Sequence, residues 1–391
     1  WVWHSEVTMA HIHTHIRSDG TPVFRVRFRL RPNSNPVNES FESIEDAYQF
    51  ADLVDRVGGA DARRIREVTT TTPQIITLEA ALDDYITHIE SHAAHGTGWE
   101  YRRVAERYWL PRLGFFPIQA LTRRHVEEWV AWQRHQTSRN GKPYATKTIR
   151  NAHGLLSSVL DWQVQQGVIP ANVARGVKIA DDQPRREMVF LTPDQFTRML
   201  THLLEQLHPL IVLLYTTGMR WGEATALIKA DFSLEAQPPT VRISRAWKRG
   251  DGGRRYIGAP KSKAAYRTIS LPESTVRIMT PLLDGLADGD RVFPPASGTG
   301  PLRAEHLTHR YLHPACEAAG LAVRPRLHDL RHSHASTLIA AGVPLPVIQR
   351  RLGHESITTT VDTYGHLSQD AWAGAAEAME AAIAPAVPLI E

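Results

Sequence analysis

The chain has 391 residues, with 45 Lys or Arg, 41 Asp or Glu and one cysteine, Cys316. This length predicts two or three folded domains. A single cysteine excludes an intramolecular disulfide and a cysteine-based zinc cluster, as fits a reducing cytoplasm. The sequence has no apolar run of about 18 residues, which a membrane span would need. The formal charge of +4 is by itself a weak argument for a nucleic-acid partner, so the positions of the charges matter more.

A β-hairpin is predicted over residues 8–31. Asp19-Gly20 is a pair typical of tight turns, and a β-rich run lies on either side of it. In the second run apolar residues alternate with arginines, so one face of the sheet should be buried while the other presents Arg25, Arg27, Arg29 and Arg31. This row predicts DNA contacts for Arg25, Arg27 and Arg29. The alternative is a solvated surface that only confers solubility.

One helix is predicted after the hairpin, and it completes a small sheet-plus-helix domain. Ser43-Ile-Glu-Asp46 resembles a helix-opening capping box, and apolar residues follow it at helical spacing. Gly58-Gly59 is expected to end this helix. The threonine-rich segment Thr69–Pro73 is interpreted as the joint to the next domain.

The region from 74 to 180 is predicted to be all helical. Apolar residues mark an amphipathic helix near 75–89, Thr122 opens another, and a third extends from Thr146 to Gln166 and ends at a glycine. Basic residues on the polar faces are mixed with acids, so they are either ordinary helix surface or DNA contacts. Lys147 and Arg150 are the candidates for DNA contacts. A polar, proline-containing linker is predicted at 181–190.

The last region is predicted to be mainly helical, interrupted by a strand-like basic segment. It opens at Thr192-Pro193-Asp194-Gln195, which has the N-cap, first-turn proline and third-position Gln of a helix start. From Arg242 to Arg267 nine Lys or Arg accompany a single acid. This segment is either a solvated hairpin or an element that contacts phosphates. We predict the second, with DNA contacts from Lys248, Arg249 and Lys263.

Four short motifs in this region form a pattern when they are taken in order. They are Thr217-Gly-Met-Arg220-Trp-Gly-Glu223, Pro260-Lys261-Ser-Lys263, His328-Asp-Leu-Arg331-His332, and Leu352-Gly-His354 followed by Thr363-Tyr364-Gly365. Each motif alone is a weak signal. Together they closely resemble the active site of the tyrosine recombinases, the phage-integrase family, and the resemblance covers the whole last region.

The chemistry explains why these residue types would occur together. Transfer of a phosphodiester to a tyrosine oxygen adds negative charge at phosphorus, and arginines hold such oxygens with paired, always charged donors. Preorganised donors of this kind are worth on the order of 100- to 1000-fold in rate each. Arg220 and Arg331 fit this role. His328 shares a helix face with Arg331, and His354 is expected to reach the same phosphate from another loop.

The resemblance implies further roles. Tyr364 would be the nucleophile, and because a phenol has a pKa near 10 it needs help to lose its proton. His328 is the proton acceptor that the resemblance implies. Lys261 would be the general acid for the leaving 5′-oxygen, with Lys263 as a rival, and Glu223 would orient a catalytic His or Arg. The phosphotyrosine stores the bond energy, so no metal ion, cofactor or ATP is implied.

The resemblance also implies a multidomain α+β architecture. Its parts would be an arm-type DNA-binding domain over 1–72, a helical core-binding domain over 73–180, the linker 181–190, and a mainly helical α/β catalytic domain over 191–391. The alanine-rich tail, Ala371–Ile383, is expected to form a helix that docks on a neighbouring subunit or on its own domain.

The function implied is that of a site-specific recombinase, an integrase that integrates or excises a mobile element through a 3′-phosphotyrosine. Its partners would be double-stranded DNA attachment sites, three further copies of itself in a tetramer, and DNA-bending or directionality proteins. Its place would be the cytoplasm of a bacterial host, on the nucleoid when it is bound to DNA.

Three alternatives remain open at this point. A type IB topoisomerase shares the chemistry, although the regions before the last one are more typical of an integrase. A DNA-binding module without catalysis would not need a full set of candidate residues. A zinc hydrolase would use His328 and His332, which lie four residues apart, but Asp replaces the usual Glu beside the first histidine.

Overall fold

The computed structural model describes residues 10–71, 75–91, 96–138, 141–180, 188–260, 262–295, 300–365 and 379. The chain divides into two compact units, Trp1–Pro184 and Arg185–Glu391. Lys261, most of the predicted linker and all of the predicted tail helix except one residue lie outside the described residues. The three-domain division remains a prediction.

The first unit opens with a three-stranded antiparallel sheet, and its first two strands confirm the predicted hairpin. The strands are β1 (His11–Ile16), β2 (Pro22–Arg29) and β3 (Pro36–Phe41), in the order β1-β2-β3. In β2 the side chains of Val26 and Phe28 are buried, while Arg25, Arg27 and Arg29 are exposed on the opposite face. Strand alternation therefore produces the predicted row of arginines.

Two elements of this sheet-plus-helix part were not predicted: β3 and a second helix. The helices are α1 (Ile44–Val57), capped by Ser43 as predicted, and α2 (Gly59–Thr71). Because α2 continues to Thr71, the first part of the predicted joint Thr69–Pro73 is helical, and its role between two domains stays a prediction. Gly58 ends α1 with φ +83°, but the chain re-enters a helix at Gly59, where a Cβ would lie 2.2 Å from the carbonyl oxygen of Arg29.

β3 escaped prediction because a charged residue interrupts its apolar pattern. Glu39 lies opposite the buried Val26 and forms ion pairs with Arg63 and Arg66 of α2. Arg66 also lies over the ring of Phe41. A carboxylate at this position is acceptable only because α2 brings cations to it.

The rest of the first unit is helical, as predicted. Its helices are α3 (Leu78–Glu90), α4 (Thr97–Tyr108), α5 (Leu110–Leu113), α6 (Arg123–Arg134) and α7 (Thr146–Gln165). Thr122 caps α6, and the chain leaves α7 through Gly167 at φ +72°, which confirms both signals. Trp109, Trp129 and Leu156 are among the buried residues of the core around which these helices pack.

The second unit is mainly helical with two small antiparallel sheets. Its strands are β4 (Phe232–Ser233), β5 (Thr240–Ile243), β6 (Ala246–Arg249), β7 (Arg255–Gly258) and β8 (Arg267–Ser270), arranged as a β4-β5-β8 sheet and a β6-β7 hairpin. Its helices are α8 (Pro193–Thr201), α9 (His208–Thr217), α10 (Trp221–Ala224), α11 (Glu273–Asp284), α12 (Ala304–Leu307), α13 (His313–Ala318), α14 (Leu327–Ala340), α15 (Leu345–Leu352) and α16 (Ile357–Tyr364). The predicted multidomain α+β fold is confirmed.

The second unit is built around α9, which is apolar on all sides. Leu210, Ile211, Leu213 and Leu214 are all buried there, and a helix of this kind belongs at the centre of a core. Burial of each such side chain contributes about 1.5–3 kcal/mol. Because α9 packs against α14, its C-terminal end brings the first motif to the helix that carries the third. None of the helices in the described ranges has the length and apolar character that crossing a membrane requires.

Candidate functional site

The loop after α9 is pressed against α14. Gly218 ends α9 with φ +64°, and a Cβ there would lie 2.5 Å from the His334 ring and 2.8 Å from Leu352. Only glycine fits this approach and this backbone conformation. The Gly218 carbonyl accepts a hydrogen bond of 2.6 Å from Nη1 of Arg331. The loop therefore places Arg220 next to Arg331.

Glu223 is the anchor of the site. This residue is 2% exposed, and its carboxylate accepts hydrogen bonds from Nη1 of Arg220 and Nη2 of Arg267, each at 2.8 Å. Burial alone would raise the pKa of Glu223, but the hydrogen bond and charge of Arg267, followed by the charge of Arg220, lower it below its usual value. The carboxylate is therefore charged, and it orients both guanidinium groups.

Arg267 belongs to the site, although sequence reasoning did not single it out. Its side chain is 6% exposed, and its Nε donates to the Arg351 carbonyl at 2.7 Å. In the sequence it was only the last cation of the basic segment. Its function as a tie between β8, α10 and α15 depends on contacts across many positions of the chain, which no local pattern reveals.

Arg331 is a buried cation with an unused donor. It is 2% exposed, and its Nη2 is buried without a hydrogen-bond partner within the described part of the chain. Burial, followed by the charge of Arg220, lowers the pKa of Arg331 to about 9, so the group stays cationic at neutral pH. An unsatisfied buried donor costs about 1–3 kcal/mol. An anionic oxygen between Arg220 and Arg331 would remove this cost.

Two histidines lie near these arginines. Burial lowers the pKa of His354 to about 4, with Arg331 and Arg220 adding to the effect, and its Nδ1 lies 2.8 Å from Oγ1 of Thr360. Desolvation, then His332 and Arg331, lowers the pKa of His328 to about 4 at the exposed start of α14. Both imidazoles are therefore neutral at neutral pH, and a bound phosphate would raise both pKa values.

Arg220 also connects to the loop that carries His354. Its Nη2 donates to the Gly353 carbonyl at 3.2 Å. Gly353 has φ +67°, and a Cβ there would meet Nη1 of Arg267 at 2.9 Å. The last motif is therefore held beside the first one by direct hydrogen bonding.

Tyr364 ends α16 inside the protein. It is 1% exposed, and burial raises the pKa of its hydroxyl to about 12. The hydroxyl oxygen lies 2.8 Å from Nδ1 of His332. The resemblance implied His328 as its proton acceptor, but in the structure His332 holds the hydroxyl. The sequence had marked His332 only as a candidate zinc ligand.

A cavity of about 590 Å³ opens beside these groups. Arg220, Glu223 and His354 line it, together with Lys248 and Arg255 of the β6-β7 hairpin. Its neighbours Arg249 and Lys263 are exposed. The predicted general acid Lys261 lies outside the described residues. The basic hairpin thus borders the same pocket as the arginines of the first motif.

The other predicted DNA contacts lie in the first unit, on exposed surface. Arg25, Arg27 and Arg29 occupy one face of β2, and Lys147 and Arg150 lie on α7. Arg150 also donates to the Ile179 carbonyl at 3.2 Å. These positions are accessible to a partner.

The zinc alternative finds no third ligand in the described ranges. The rings of His328 and His332 meet edge to face with centroids 4.8 Å apart, and Nδ1 of His332 already faces Tyr364. The residues that the structure describes include no group of three His, Cys, Asp or Glu placed to hold a metal ion.

Comparison with known proteins agrees with this geometry. The sequence profile of the Phage integrase family matches residues 189–370. The chain is 30% identical to the tyrosine recombinase XerD of Corynebacterium glutamicum over 307 residues, which cover 74% of this chain and 96% of that protein. It is 27% identical to the ICEBs1 integrase of Bacillus subtilis over 263 residues, 64% of this chain and 68% of that protein.

Solved structures share the fold. The Tn1549 transposon integrase in complex with a circular intermediate DNA matches with a TM-score of 0.67 and 22% identity, over 78% of this chain and 99% of that chain. A lambda integrase tetramer bound to a Holliday junction matches with a TM-score of 0.54 and 17% identity, over 92% of this chain and 96% of that chain. Taken with the identity to a nearly full-length relative, these matches show that the chain belongs to the phage integrase family of tyrosine recombinases.

Proposed function

We propose that this chain is a site-specific DNA recombinase that cuts and rejoins strands through a covalent bond between Tyr364 and a DNA 3′-phosphate. The observation that carries the proposal is the buried guanidinium of Arg331, whose Nη2 lacks a partner in the described part of the chain, while Arg220 and His354 are near enough to interact with it electrostatically. A phosphodiester supplies the anionic oxygens that this arrangement lacks. Family membership favours this function over the topoisomerase, the inactive binding module and the zinc hydrolase.

The two arginines would hold the scissile phosphate. Arg220 is oriented by Glu223, and Arg331 by the Gly218 carbonyl, so both guanidinium groups are in place before DNA binds. Donors fixed in this way stabilise charge that develops in the transition state without reorganising. His328 and His354, which are neutral in the free chain, add N–H donors and gain positive character as their pKa values rise beside the phosphate.

The leaving 5′-oxygen needs a proton. Lys261 is the proposed general acid, and Lys263, exposed on the same segment, is the rival. The free 5′-hydroxyl of the same or another strand then attacks the phosphotyrosine and releases Tyr364. The energy of the broken bond is kept in the phosphotyrosine, so the cycle needs no ATP.

We place the secondary DNA contacts on the first unit. The face with Arg25, Arg27 and Arg29 would bind arm-type sites, as part of an arm-binding domain over 1–72. Lys147 and Arg150 would contact the core site from a helical domain over 73–180. On the second unit Lys248, Arg249 and Lys263 would contact phosphates near the catalytic pocket. Their exposure and charge support these assignments.

The working assembly is a tetramer on two paired attachment sites, which integrates or excises a mobile element. The lambda integrase tetramer on a Holliday junction, which shares this fold, supports that assembly. DNA-bending or directionality proteins would assist, and the chain would be associated with the bacterial nucleoid while it is bound.

A covalent-capture experiment tests the function. Purified chain is incubated with nicked duplexes whose central sequence is randomised, and detergent-stable adducts are isolated and sequenced. We expect adducts at Tyr364, none with Tyr364→Phe, and normal amounts with Tyr311→Phe, a tyrosine outside the four motifs. A consensus among the captured sequences supports a site-specific recombinase. Adducts without a consensus would favour a topoisomerase, and their complete absence would refute the proposal.

A second substrate tests which lysine is the general acid. A duplex with a bridging 5′-sulfur has a leaving group that needs no proton. We expect this substrate to restore cleavage by the variant that lacks the general acid, Lys261→Ala or Lys263→Ala, and not by the other. If the sulfur substrate restores cleavage by neither variant, neither lysine is the general acid.

A further inference from the structure

The hydroxyl of Tyr364 has one partner in the described structure, and that partner is not the histidine that the motif implied. Nδ1 of His332 lies 2.8 Å from the hydroxyl oxygen, within ordinary hydrogen-bond distance. The two rings meet at 61° with centroids 5.7 Å apart. His332 stands directly after Arg331 on α14, whereas Tyr364 is the last residue of α16.

The direction of this hydrogen bond follows from the state of the two groups. Burial raises the pKa of the Tyr364 hydroxyl to about 12, so the phenol keeps its proton. Burial lowers the pKa of His332, so the imidazole is neutral at neutral pH. The phenol therefore donates and Nδ1 accepts, and the imidazole proton sits on Nε2.

The groups that surround His332 maintain this state. Within α14 the carboxylate of Asp329 favours the charged imidazole, while Arg331 disfavours it. The ring of His328 approaches edge to face at 4.8 Å, and the ring of Phe190 lies at 6.4 Å. Arg326, just before the helix, adds a further opposing positive charge. The balance of these groups leaves Nδ1 free to accept.

We infer that His332 is a catalytic residue of this recombinase, which holds the Tyr364 hydroxyl in the free chain and receives its proton when Tyr364 attacks. The inference rests on the proposed function, and it identifies the atom that accepts the tyrosine proton. The bond from the Tyr364 oxygen to phosphorus forms, and the bond from phosphorus to the 5′-oxygen breaks. The tyrosine proton moves to Nδ1 of His332, and the 5′-oxygen takes a proton from the general acid. Rejoining reverses each step.

The same contact leaves the proton on Tyr364 in the free chain. Burial raises the pKa of Tyr364 to about 12 and lowers the pKa of His332, so the phenol keeps its proton. A phosphate in the pocket would raise the pKa of His332, while Arg331 lowers the pKa of the Tyr364 hydroxyl. The negative charge of the phosphate stabilises the imidazolium, while the nearby Arg331 stabilises the phenolate.

His328 fits a different task. It stands at the exposed start of α14, on the side of Arg331, and in the described structure no hydrogen bond joins it to Tyr364. It would be available to donate to a phosphate oxygen. The two histidines of the third motif would thus have different roles. His328 would bind the phosphate, and His332 would accept the proton of the nucleophile.

Single-turnover cleavage of a captured nicked duplex tests the inference. His332→Asn leaves an amide oxygen near the position of Nδ1, which can accept the hydrogen bond but not the proton. His332→Ala removes both functions, and His309→Asn, an exposed histidine outside the site, is the control. We expect a loss of about 100-fold or more with both His332 variants and none with the control.

Two further readouts separate catalysis from structural support. The bridging 5′-sulfur substrate should not restore the His332 variants, because it replaces only the general acid. The wild-type rate should fall at acid pH as His332 gains a proton, and His332→Asn should lose this limb. A rate within threefold (~0.5 log unit) of the wild type for folded His332→Ala or His332→Asn, or rescue by the sulfur substrate, would overturn the inference.

A measurement without DNA keeps the inference distinct from the proposed function. In the full chain with tyrosines labelled at Cζ, the Tyr364 signal is identified by its absence from the spectrum of Tyr364→Phe. We expect its pKa to fall in His332→Ala, because the acceptor that favours the neutral phenol is gone. A signal that does not respond would overturn the inference. Failure of the wild type to form any adduct would overturn the proposed function instead.

Discussion

The buried carboxylate of Glu223 offers the sharpest test of how the site is held together. Glu223→Gln keeps the size of the side chain and removes its charge. The change leaves Arg267, whose side chain is 6% exposed, with an amide in place of its counter-ion. Arg220 also loses this carboxylate, but its side chain is 41% exposed, so water can replace the lost partner. The buried pair with Arg267 therefore dominates the effect.

Removal of one partner from a buried ion pair costs about 3–5 kcal/mol of folding free energy. For a unit of this size that corresponds to a drop in melting temperature of roughly 10 °C. The sign of the pH dependence follows from the pKa of Glu223, which is lower in the folded chain than its usual value. The contribution is fully present above the unfolded pKa and is lost as the pH falls through the folded pKa.

Urea unfolding of wild type and Glu223→Gln at a series of pH values measures both effects. The matched control is Glu273→Gln, which removes an exposed carboxylate from an i,i+4 pair with Arg277 and should leave the midpoint unchanged. We expect the gap between wild type and Glu223→Gln to be largest near neutral pH and to shrink in acid. A gap that is absent at neutral pH, or that stays constant down to strongly acid pH, would refute the assignment of Glu223 as the charged anchor.

Three further predictions follow from the described contacts. Gly218→Ala should destabilise the second unit by about 2 kcal/mol or more in urea unfolding, because the backbone is left-handed and the added Cβ would meet the His334 ring; an unchanged midpoint would contradict the close approach. Combined replacement of Arg25, Arg27 and Arg29 by Ala should weaken DNA binding and reduce the slope of log affinity against log salt by about 0.9 for each DNA phosphate that is no longer neutralised; an unchanged slope would exclude this face. Acidification should destabilise the free chain, since burial lowers the pKa of His334 to about 3 and the unfolded chain binds the proton first. This stability is present above the unfolded histidine pKa and declines below it, and a Tm that rises from neutral to acid pH would contradict the sign.

Several elements were predictable because their signals are local. The alternation in β2 placed Arg25, Arg27 and Arg29 on the exposed face, and the caps at Thr122 and Thr192 marked true helix starts. Each of these signals depends on residues within about four positions, the range over which backbone hydrogen bonds and side-chain faces repeat. β3 was not predictable from such local signals, because the cations that pair with the carboxylate of Glu39 lie on α2, some 25 positions later in the chain.

The candidate site was predictable as a set of residues but not as an arrangement. The ordered motifs named Arg220, His328, Arg331, His354 and Tyr364; of these, Arg220 and His354 line the cavity, and the charge of Arg331 acts on His328, His354 and Tyr364. The resemblance implied His328 as the proton acceptor of the tyrosine, whereas His332, one turn further along the same helix, is the histidine that contacts the hydroxyl.

The linear chain determined which chemical groups are available, since the motifs carry them in a fixed order that a family shares. Packing decided how the groups are used. The hydrogen bond from Arg267 to Glu223 joins positions 44 apart, and the one between His332 and Tyr364 joins positions 32 apart. Such pairs form only when several helices pack around a common core, because burial then removes water as a competing hydrogen-bond partner. The same burial shifts the pKa values of these groups and leaves Nη2 of Arg331 without a partner among the described residues.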